Sequence, residues 1–495
     1  MAADSGSHFY CSGLMQFLVR HRLIVAFVAL SFAASLFLWI SKKKEKAEKK
    51  PDKTSAPPTS PMANAIRFQY AVYFLPGSSS DAPDVFREAV AKEYPSLKSV
   101  DKIPEQTEEA VISVHMQKNV QREFVPPSMK RLQYAGHGIT REQALALQKS
   151  TTAFILDFAH PKRDVWLALH NANTLVEEIA RKTHGLVWDE ETRELFSPDA
   201  WHKTRIGSWQ AGVPDVSSQT VIHSYNDGEY QRAITLGMAK MGLPDVVIQE
   251  FPWSAEDQVW NLINSFCQSV AEGKMFNASK QFKLDLQAIK NSSVRDQHTK
   301  SLKHNGTGLA CLLLKQGKWE EGDPKNRIIE LGADFYDGND PHAKQDHMLS
   351  SAFGWQDSIR TIEHENSELM AESERERKKL PELQKLFNQG LEPAEYIQVK
   401  APFRNGNYTE WMWVEITNWK SDNIKGLLEN EPFHNPSLHS GQIVQVNQED
   451  IFDYLHYYPD KPKEGNTTEP ILEKMYGPSP EEKLPPKPMP NCDDN

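Results

Sequence analysis

Hydrophobic positions in the first folded stretch, residues 65–212, follow two different periods along the chain. Runs rich in aromatic and β-branched residues predict strands, and apolar positions three and four residues apart predict amphipathic helices. The strands are predicted at 68–74, 110–117, 151–158 and 186–188, and the helices at 81–94 and 161–182. The second helix carries one apolar stripe, formed by Val165, Leu169, Ala172, Val176 and Ile179. This order predicts an α+β domain of split βαβ type, with mixed layers of helices and strands.

Residues 213–340 repeat the same alternation and predict a second α+β unit that packs on the first. Strands are predicted at 219–225, 246–251, 309–314 and 327–331, and helices at 230–240 and 254–272. The stretch 341–391 alternates acidic and basic residues over much of its length, which is typical of an exposed helix. We interpret it as a charged helical connector.

The C-terminal part of the chain is divided into short strands and a tail. Residues 392–458 contain several apolar runs separated by glycine, asparagine and proline, which predicts a small β-barrel-like domain. Residues 459–495 hold nine prolines among many charged residues. That composition predicts a Pro-rich disordered tail.

An uncharged apolar run of 18 residues, Leu23 to Ile40, lies near the start of the chain. As a helix it would extend roughly 27 Å, close to the hydrocarbon thickness of a bilayer. We therefore predict a single transmembrane helix at 23–40, between an N-terminal tail at 1–22 and a basic and Pro-rich linker at 41–64. A cleaved signal peptide is the alternative interpretation of the same residues.

Charge divides the chain into a basic start and an acidic body. Residues 1–53 carry nine Lys/Arg and four Asp/Glu, so the total of −11 leaves −16 for the rest. Seven lysines follow the apolar run, which by the positive-inside rule predicts a cytoplasmic body on a single-pass membrane anchor. The lipid bilayer is then a predicted partner through Leu23 to Ile40, and the lysines provide a possible contact with anionic lipid. The acidic body disfavours nucleic acid as a partner.

Metal and cofactor motifs are absent from the sequence. The four cysteines have no CxxC spacing, and no HExxH, P-loop, GxGxxG or GxSxG motif occurs. The 17 histidines make chance neighbours expected. We predict neither a metal site nor a cofactor.

The strongest candidate for chemistry is the segment 410–417. Strand parity places Glu410 with Met412, Val414 and Ile416 on one face, and the other face receives Trp411, Trp413 and Glu415. Two tryptophans beside a carboxylate suit an aromatic, sugar or peptide ligand. The alternative is that the tryptophan rings cover a second layer of the protein's own structure. The candidate ligand-binding residues are Trp411, Trp413, Glu415, Glu410, Asn430 and Asp453.

These residues also carry a resemblance to a known family. The runs FRNGNYTEWMWVEITNW, IKGLLENEP and LHSGQIVQVNQEDIFDYL resemble the YegJ-like bacterial domain of unknown function (2314). Its pattern matches at Glu410, Trp413, Glu415, Gly426, Asn430, Pro432, Gly441, Asp453 and Tyr454. The resemblance covers about 65 to 70 of 495 residues and implies a bacterial domain type, but no reaction.

Three hypotheses about function remain open from the sequence. The primary hypothesis is a single-pass membrane-anchored protein whose C-terminal domain binds a protein or other ligand without catalysis. The alternative is an envelope-associated hydrolase that uses a Glu/His pair in the C-terminal domain, with Glu410 or Glu415 as the carboxylate. A third hypothesis is that the lysine run senses an anionic lipid surface.

Overall fold

The computed structural model describes residues 65–78, 81–207, 209, 212–276, 279–354, 367–406, 408–476 and 489–492. The predicted tail at 1–22, transmembrane helix at 23–40 and linker at 41–64 lie outside the described residues. Within the described residues, each helix is too short or too polar to cross a bilayer. The predicted fold class, which included a transmembrane helix, is corrected on this point: the described chain is α+β and contains three sheets.

The N-terminal sheet has seven strands in the order β2-β3-β5-β1-β6-β7-β4. Its strands are β1 (Ala65–Tyr73), β2 (Lys98–Ser99), β3 (Val111–Lys118), β4 (Gly136–His137), β5 (Thr152–Pro161), β6 (Leu186–Asp189) and β7 (Glu194–Phe196). Its helices are α1 (Ala82–Glu93), α2 (Val120–Glu123), α3 (Met129–Ala135), α4 (Arg141–Leu147), α5 (Val165–Thr183) and α6 (Pro198–Trp201). The central order β3-β5-β1-β6, with α1 and α5 as the crossovers, is a split βαβ layer.

Helix α5 packs against this sheet through the stripe that its sequence predicts. All five apolar positions of the stripe are buried. They join one core with Tyr70, Val72 and Leu156 of the sheet. The period of 3.6 residues brings these positions to one side, so the helix covers the sheet with a continuous apolar surface.

The middle sheet has six strands in the order β11-β12-β13-β10-β9-β8. Its strands are β8 (Val221–Asp227), β9 (Tyr230–Leu236), β10 (Asp245–Phe251), β11 (Gln281–Asp285), β12 (Leu309–Gln316) and β13 (Ile328–Gly332). Its helices are α7 (Glu256–Ala271), α8 (Ser292–Lys300) and α9 (Pro341–Phe353).

The predicted helix at 230–240 is wrong. The segment forms β9 followed by a short 3-10 turn at Met238–Met241. Strand β9 pairs with β8 and with β10, and nearly all of its residues are buried. A strand buried on both faces has no polar alternation, so its hydrophobic pattern cannot be distinguished from that of a buried helix.

Buried charges join the N-terminal and middle sheets. Asp189 at the end of β6 accepts hydrogen bonds from Lys240 Nζ at 2.5 Å and from Arg205 at 3.1 Å. Arg205 also bonds Glu194 at 2.9 Å. Burial lowers the pKa of Lys240 to about 8, while the neighbouring Asp189 acts in the opposite direction. Because these side chains are almost completely removed from water, each charge depends on its partner.

We predict that Asp189→Asn destabilises the protein by about 3–5 kcal/mol, since it leaves two buried cations without their shared carboxylate. Urea unfolding followed by tryptophan fluorescence measures the change. The matched control is Asp84→Asn on α1, where the paired Arg87 is also exposed. Equal unfolding midpoints for the two variants would contradict the stabilising role of the buried network.

The C-terminal sheet has six strands in the order β17-β16-β15-β14-β18-β19. Its strands are β14 (Tyr396–Asn405), β15 (Tyr408–Lys420), β16 (Asn423–Leu428), β17 (Ile443–Asn447), β18 (Asp453–Tyr457) and β19 (Glu464–Gly465). The accompanying helices are α10 (Ser367–Arg377), α11 (Leu380–Gln389) and α12 (Glu469–Tyr476). Strand β19 and helix α12 lie in the segment predicted as a disordered tail.

The predicted small barrel is also wrong, because this sheet is open, with β17 and β19 at its edges. Leu380 and Leu383 of α11 pack on Met412, Val414 and Ile416 of β15. A sheet can bury its apolar face either by closing on itself or against a helix. Here helix α11 covers that face.

A disulfide joins Cys311 of β12 to Cys492 in the last described segment, 181 residues further along the chain. Cys267 is a buried free thiol. The spacing of the cysteines contains no sign of this pairing, since a bridge between distant residues depends on the fold that brings them together.

Candidate functional site

A cleft separates the C-terminal sheet from the start of α7. Its volume is about 290 Å³. Four aromatic side chains line it: Trp253, Tyr396, Trp413 and Tyr457. Its charged lining residues are Glu256, Asp257, Lys303, Asp346, Glu429, Glu431 and Lys463. The cleft combines the apolar surfaces of aromatic rings with charged groups, most of which are carboxylates.

Strand parity brings one wall of the cleft together. In the paired strands, Tyr396 lies opposite Tyr457, and the rings are stacked with centroids 4.7 Å apart. Trp413 of β15 reaches the same face, while its neighbours Met412 and Val414 belong to the core on the other side. The alternation predicted for 410–417 therefore separates the core side of β15 from the side that carries Trp413.

Glu415 holds the two walls together from behind the cleft. Its carboxylate accepts hydrogen bonds from the backbone N–H groups of Trp253 at 3.0 Å and Ser254 at 2.9 Å, just before α7 begins. The side chain is 2% exposed. N–H groups at the start of a helix have no partner within the helix, and a carboxylate is well suited to satisfy them.

The ionisation of Glu415 reflects two opposing effects. Burial raises the pKa of its carboxyl to about 7, while the backbone donors of Ser254 and Trp253 lower it. The nearby Glu256 adds a further upward contribution, and burial raises the pKa of Glu256 itself to about 7. Two adjacent carboxyl groups thus titrate near neutral pH at the base of the cleft.

Asn430 forms part of the cleft wall and has one unused hydrogen-bonding group. Its Oδ1 accepts a hydrogen bond from the backbone N–H of Trp413 at 2.7 Å, which fixes the orientation of the amide. The residue is 2% exposed. Its Nδ2 is buried and has no acceptor among the described residues. A buried N–H donor without a partner is costly and therefore uncommon.

The other three predicted site residues lie away from the cleft lining. Glu410 accepts hydrogen bonds from the backbone N–H groups of Phe433 and His434, with the shorter one at 2.7 Å. The ring of Trp411 packs on Phe452, with centroids 4.6 Å apart. Each of these side chains holds a neighbouring loop in place.

Asp453 has a similar structural environment. It accepts hydrogen bonds from Thr468 N at 2.9 Å and from Thr468 Oγ1 at 2.5 Å, just before α12. The carboxylate thereby connects β18 to the segment that precedes α12. Of the six predicted residues, the structure thus places Trp413 and Asn430 in the cleft wall and Glu415 directly behind it.

Sequence analysis missed the opposite wall, formed by Trp253, Glu256 and Asp257. These residues are about 160 positions from Trp413, and no motif connects the two segments. One local signal existed, because the predicted helix begins at Ser254 and the first N–H groups of a helix need acceptors. The sequence did not indicate that the acceptor is Glu415.

Three further contacts fix the C-terminal sheet on the middle sheet. Lys425 Nζ bonds Glu229 at 2.7 Å, and His439 Nε2 bonds Asp340 at 2.8 Å. The hydroxyl of Tyr230 donates to the carbonyl of Gly441 at 2.9 Å. The two sides of the cleft are therefore held in one arrangement by contacts outside it.

Neither carboxylate proposed for hydrolysis pairs with a histidine side chain. Glu410 and Glu415 are bonded as described above, and the histidine–glutamate pairs of the described chain lie elsewhere, as in His456–Glu395 at 2.7 Å. No three His, Cys, Asp or Glu side chains within the described ranges are arranged to hold a metal ion. Among the described residues, Glu410 and Glu415 therefore do not form the Glu/His pair of the alternative hypothesis, and the pair found in the C-terminal domain is His456–Glu395.

One wall of the cleft lies in a region that is similar to a family of bacterial proteins. Residues 382–483 match the family described as "Uncharacterized protein conserved in bacteria (DUF2314)". The resemblance predicted from the sequence is confirmed for this region. No solved structure matches the chain.

One curated relative is similar to this region. It is the "Uncharacterized protein YegJ" of Escherichia coli (strain K12), 29% identical over 79 residues, or 16% of this chain and 52% of that protein. The chain spans about half the length of this relative. Neither description names a ligand or a reaction.

The structure explains why glycine occupies two of the positions that carry the resemblance, Gly426 and Gly441. A Cβ at Gly426 would clash with the carbonyl oxygen of Glu415 on the paired strand. Gly441 has a φ of +79°, and a Cβ there would press on His342. Both glycines permit close backbone approach beside the residues that hold the C-terminal sheet in place.

We predict that Glu415→Gln flattens the pH dependence of stability. A carboxyl whose pKa is raised by folding stabilises the protein fully below its unfolded value, and this contribution is lost as pH rises through about 7. The effect is on the order of 3 kcal/mol at most. Urea unfolding at several pH values between 5 and 8 measures it. Parallel curves for the wild type and the variant would show that Glu415 does not titrate in this range.

Proposed function

We propose that the protein is a non-catalytic binding protein whose ligand occupies the cleft between the C-terminal sheet and α7. The observation that carries this proposal is Asn430, whose Nδ2 is buried in the cleft wall without an acceptor among the described residues. The donor is covered by neighbouring atoms, and a ligand oxygen would satisfy it once these move aside. Leaving such a group unsatisfied costs about 1–3 kcal/mol, which ligand binding would recover.

The walls of the cleft suit binding in two further ways. The rings of Trp253, Trp413, Tyr396 and Tyr457 offer rigid apolar surface that loses little conformational freedom when a ligand binds. The contacts of Glu415, Lys425 and His439 hold the walls in place before a ligand arrives. Such preorganisation lowers the cost of association.

The hydrogen bonds of Glu415 favour binding over acid–base catalysis. Each of its carboxylate oxygens accepts a backbone N–H, so the group is committed to joining two segments. A general base needs an oxygen directed at the proton that it removes. We therefore assign Glu415 a positioning role.

We predict that Asn430→Asp weakens ligand binding at least tenfold. The substitution keeps the oxygen that accepts from Trp413 N–H, but it replaces the free donor with a second acceptor that repels a ligand oxygen. The probes are a library of small neutral amides, screened by ligand-observed NMR against the full chain. Unchanged thermal unfolding of the variant would confirm that its fold is retained.

The matched control is Asn423→Asp, which makes the same chemical change on an exposed position of β16 in the same sheet. We expect it to bind the probes like the wild type. The proposal would be overturned if no member of the library bound, or if Asn430→Asp bound as tightly as the control.

A further inference from the structure

The lining of the cleft is negatively charged. Five of its charged residues are carboxylic acids and two are lysines. The acids influence one another and their surroundings: burial raises the pKa of Glu256 to about 7, a hydrogen bond with Ser224 lowers it, and the charge of Asp257 adds a further upward contribution. Burial together with Asp257 and Glu256 also raises the pKa of the Tyr457 hydroxyl. A local field of this sign favours a cation and opposes an anion.

The chain itself places an ammonium group on this face of the sheet. Lys400 Nζ lies 5.3 Å from the ring centroid of Trp413, and the lysine is completely buried. Its charge is balanced by Glu469 at 3.3 Å. Aromatic rings attract cations through their negative faces, particularly where water is excluded. Trp253 and Tyr457 offer similar rings on the cleft side.

Asn430 narrows the class of ligand further. Its buried Nδ2 requires an acceptor, which a simple ammonium ion or a protonated polyamine does not have. A peptide with a lysine provides both groups, because its side chain ends in an ammonium and its backbone carries carbonyl oxygens. The volume of about 290 Å³ is at the lower end of the range for small-ligand sites, which suits one inserted side chain.

We propose that the cleft binds a peptide segment through a lysine side chain, with the ammonium among the carboxylates and a peptide carbonyl on Asn430 Nδ2. This inference rests on the proposed binding function and specifies its ligand. The partner is thus a protein or peptide with an accessible lysine.

The test compares three capped tripeptides, acetyl-Ala-X-Ala-amide, in which X is lysine, norleucine or glutamate. Isothermal titration with the full chain at pH 8 and low salt measures each affinity. We expect the lysine peptide to bind at least tenfold more tightly than the norleucine peptide, and the glutamate peptide to bind most weakly. Added salt should weaken only the lysine peptide.

Variants separate recognition of the ammonium group from recognition of the peptide carbonyl. Asp257→Asn should weaken the lysine peptide severalfold and leave the norleucine peptide unchanged, because it removes one exposed carboxylate of the cleft. The matched control is Glu88→Gln on α1, an exposed carboxylate outside the lining, which should change neither affinity. Asn430→Asp should weaken the norleucine peptide as well, because it affects the carbonyl contact.

Three outcomes would overturn the inference. Equal affinity for the three tripeptides would remove the preference for a cation and leave the binding function intact. Spermidine binding as tightly as the lysine peptide, with no effect of Asn430→Asp on the uncharged norleucine peptide, would remove the peptide part. Binding of the amide library without binding of any tripeptide would refute this inference alone, whereas failure of both probe sets would refute the binding function too.

Discussion

The boundary between the middle and C-terminal sheets contains one buried carboxylate that serves two segments of the chain. Glu415 belongs to β15, but its oxygens satisfy the backbone N–H groups that open the helical segment at Trp253. Neither segment is complete alone, since the helix start lacks acceptors and the carboxylate lacks donors. Their combination removes both deficits and creates a fixed boundary between the middle and C-terminal sheets, beside which the cleft lies.

Local periodicity was a reliable guide where one face of an element is buried. The α5 stripe and the alternation in β15 both follow from this condition, because the buried side of each is lined by apolar residues at the expected spacing. The condition fails in β9, which is buried on both faces and was predicted as a helix. It also says nothing about whether a sheet closes or remains open, which here depends on the cover provided by α11.

Several of the predicted site residues have structural roles in the C-terminal domain. Glu410 and Asp453 use their carboxylates to hold backbone N–H groups of adjoining loops, and Gly426 leaves room for the carbonyl of Glu415. These are conditions for building the C-terminal domain. The residues of the opposite wall, such as Trp253 and Asp257, come from the middle part of the chain, before the matched region, and no local pattern could link them to it. The site predicted from the sequence therefore contained residues of one cleft wall and residues that support the C-terminal domain, but no residue of the opposite wall.

The two features that specify the cleft differ in their physical origin. Its negative field arises from several residues on both walls, so losing one carboxylate weakens it gradually. The unsatisfied amide of Asn430 is a single group with a single geometry, and Trp413 N–H holds it in that orientation. A field of this kind attracts any cation, whereas a fixed donor accepts only a ligand with an oxygen at one place. Attraction by the carboxylates and selection by the amide are therefore separable contributions, and a ligand that satisfies only one of them gains only part of the binding free energy.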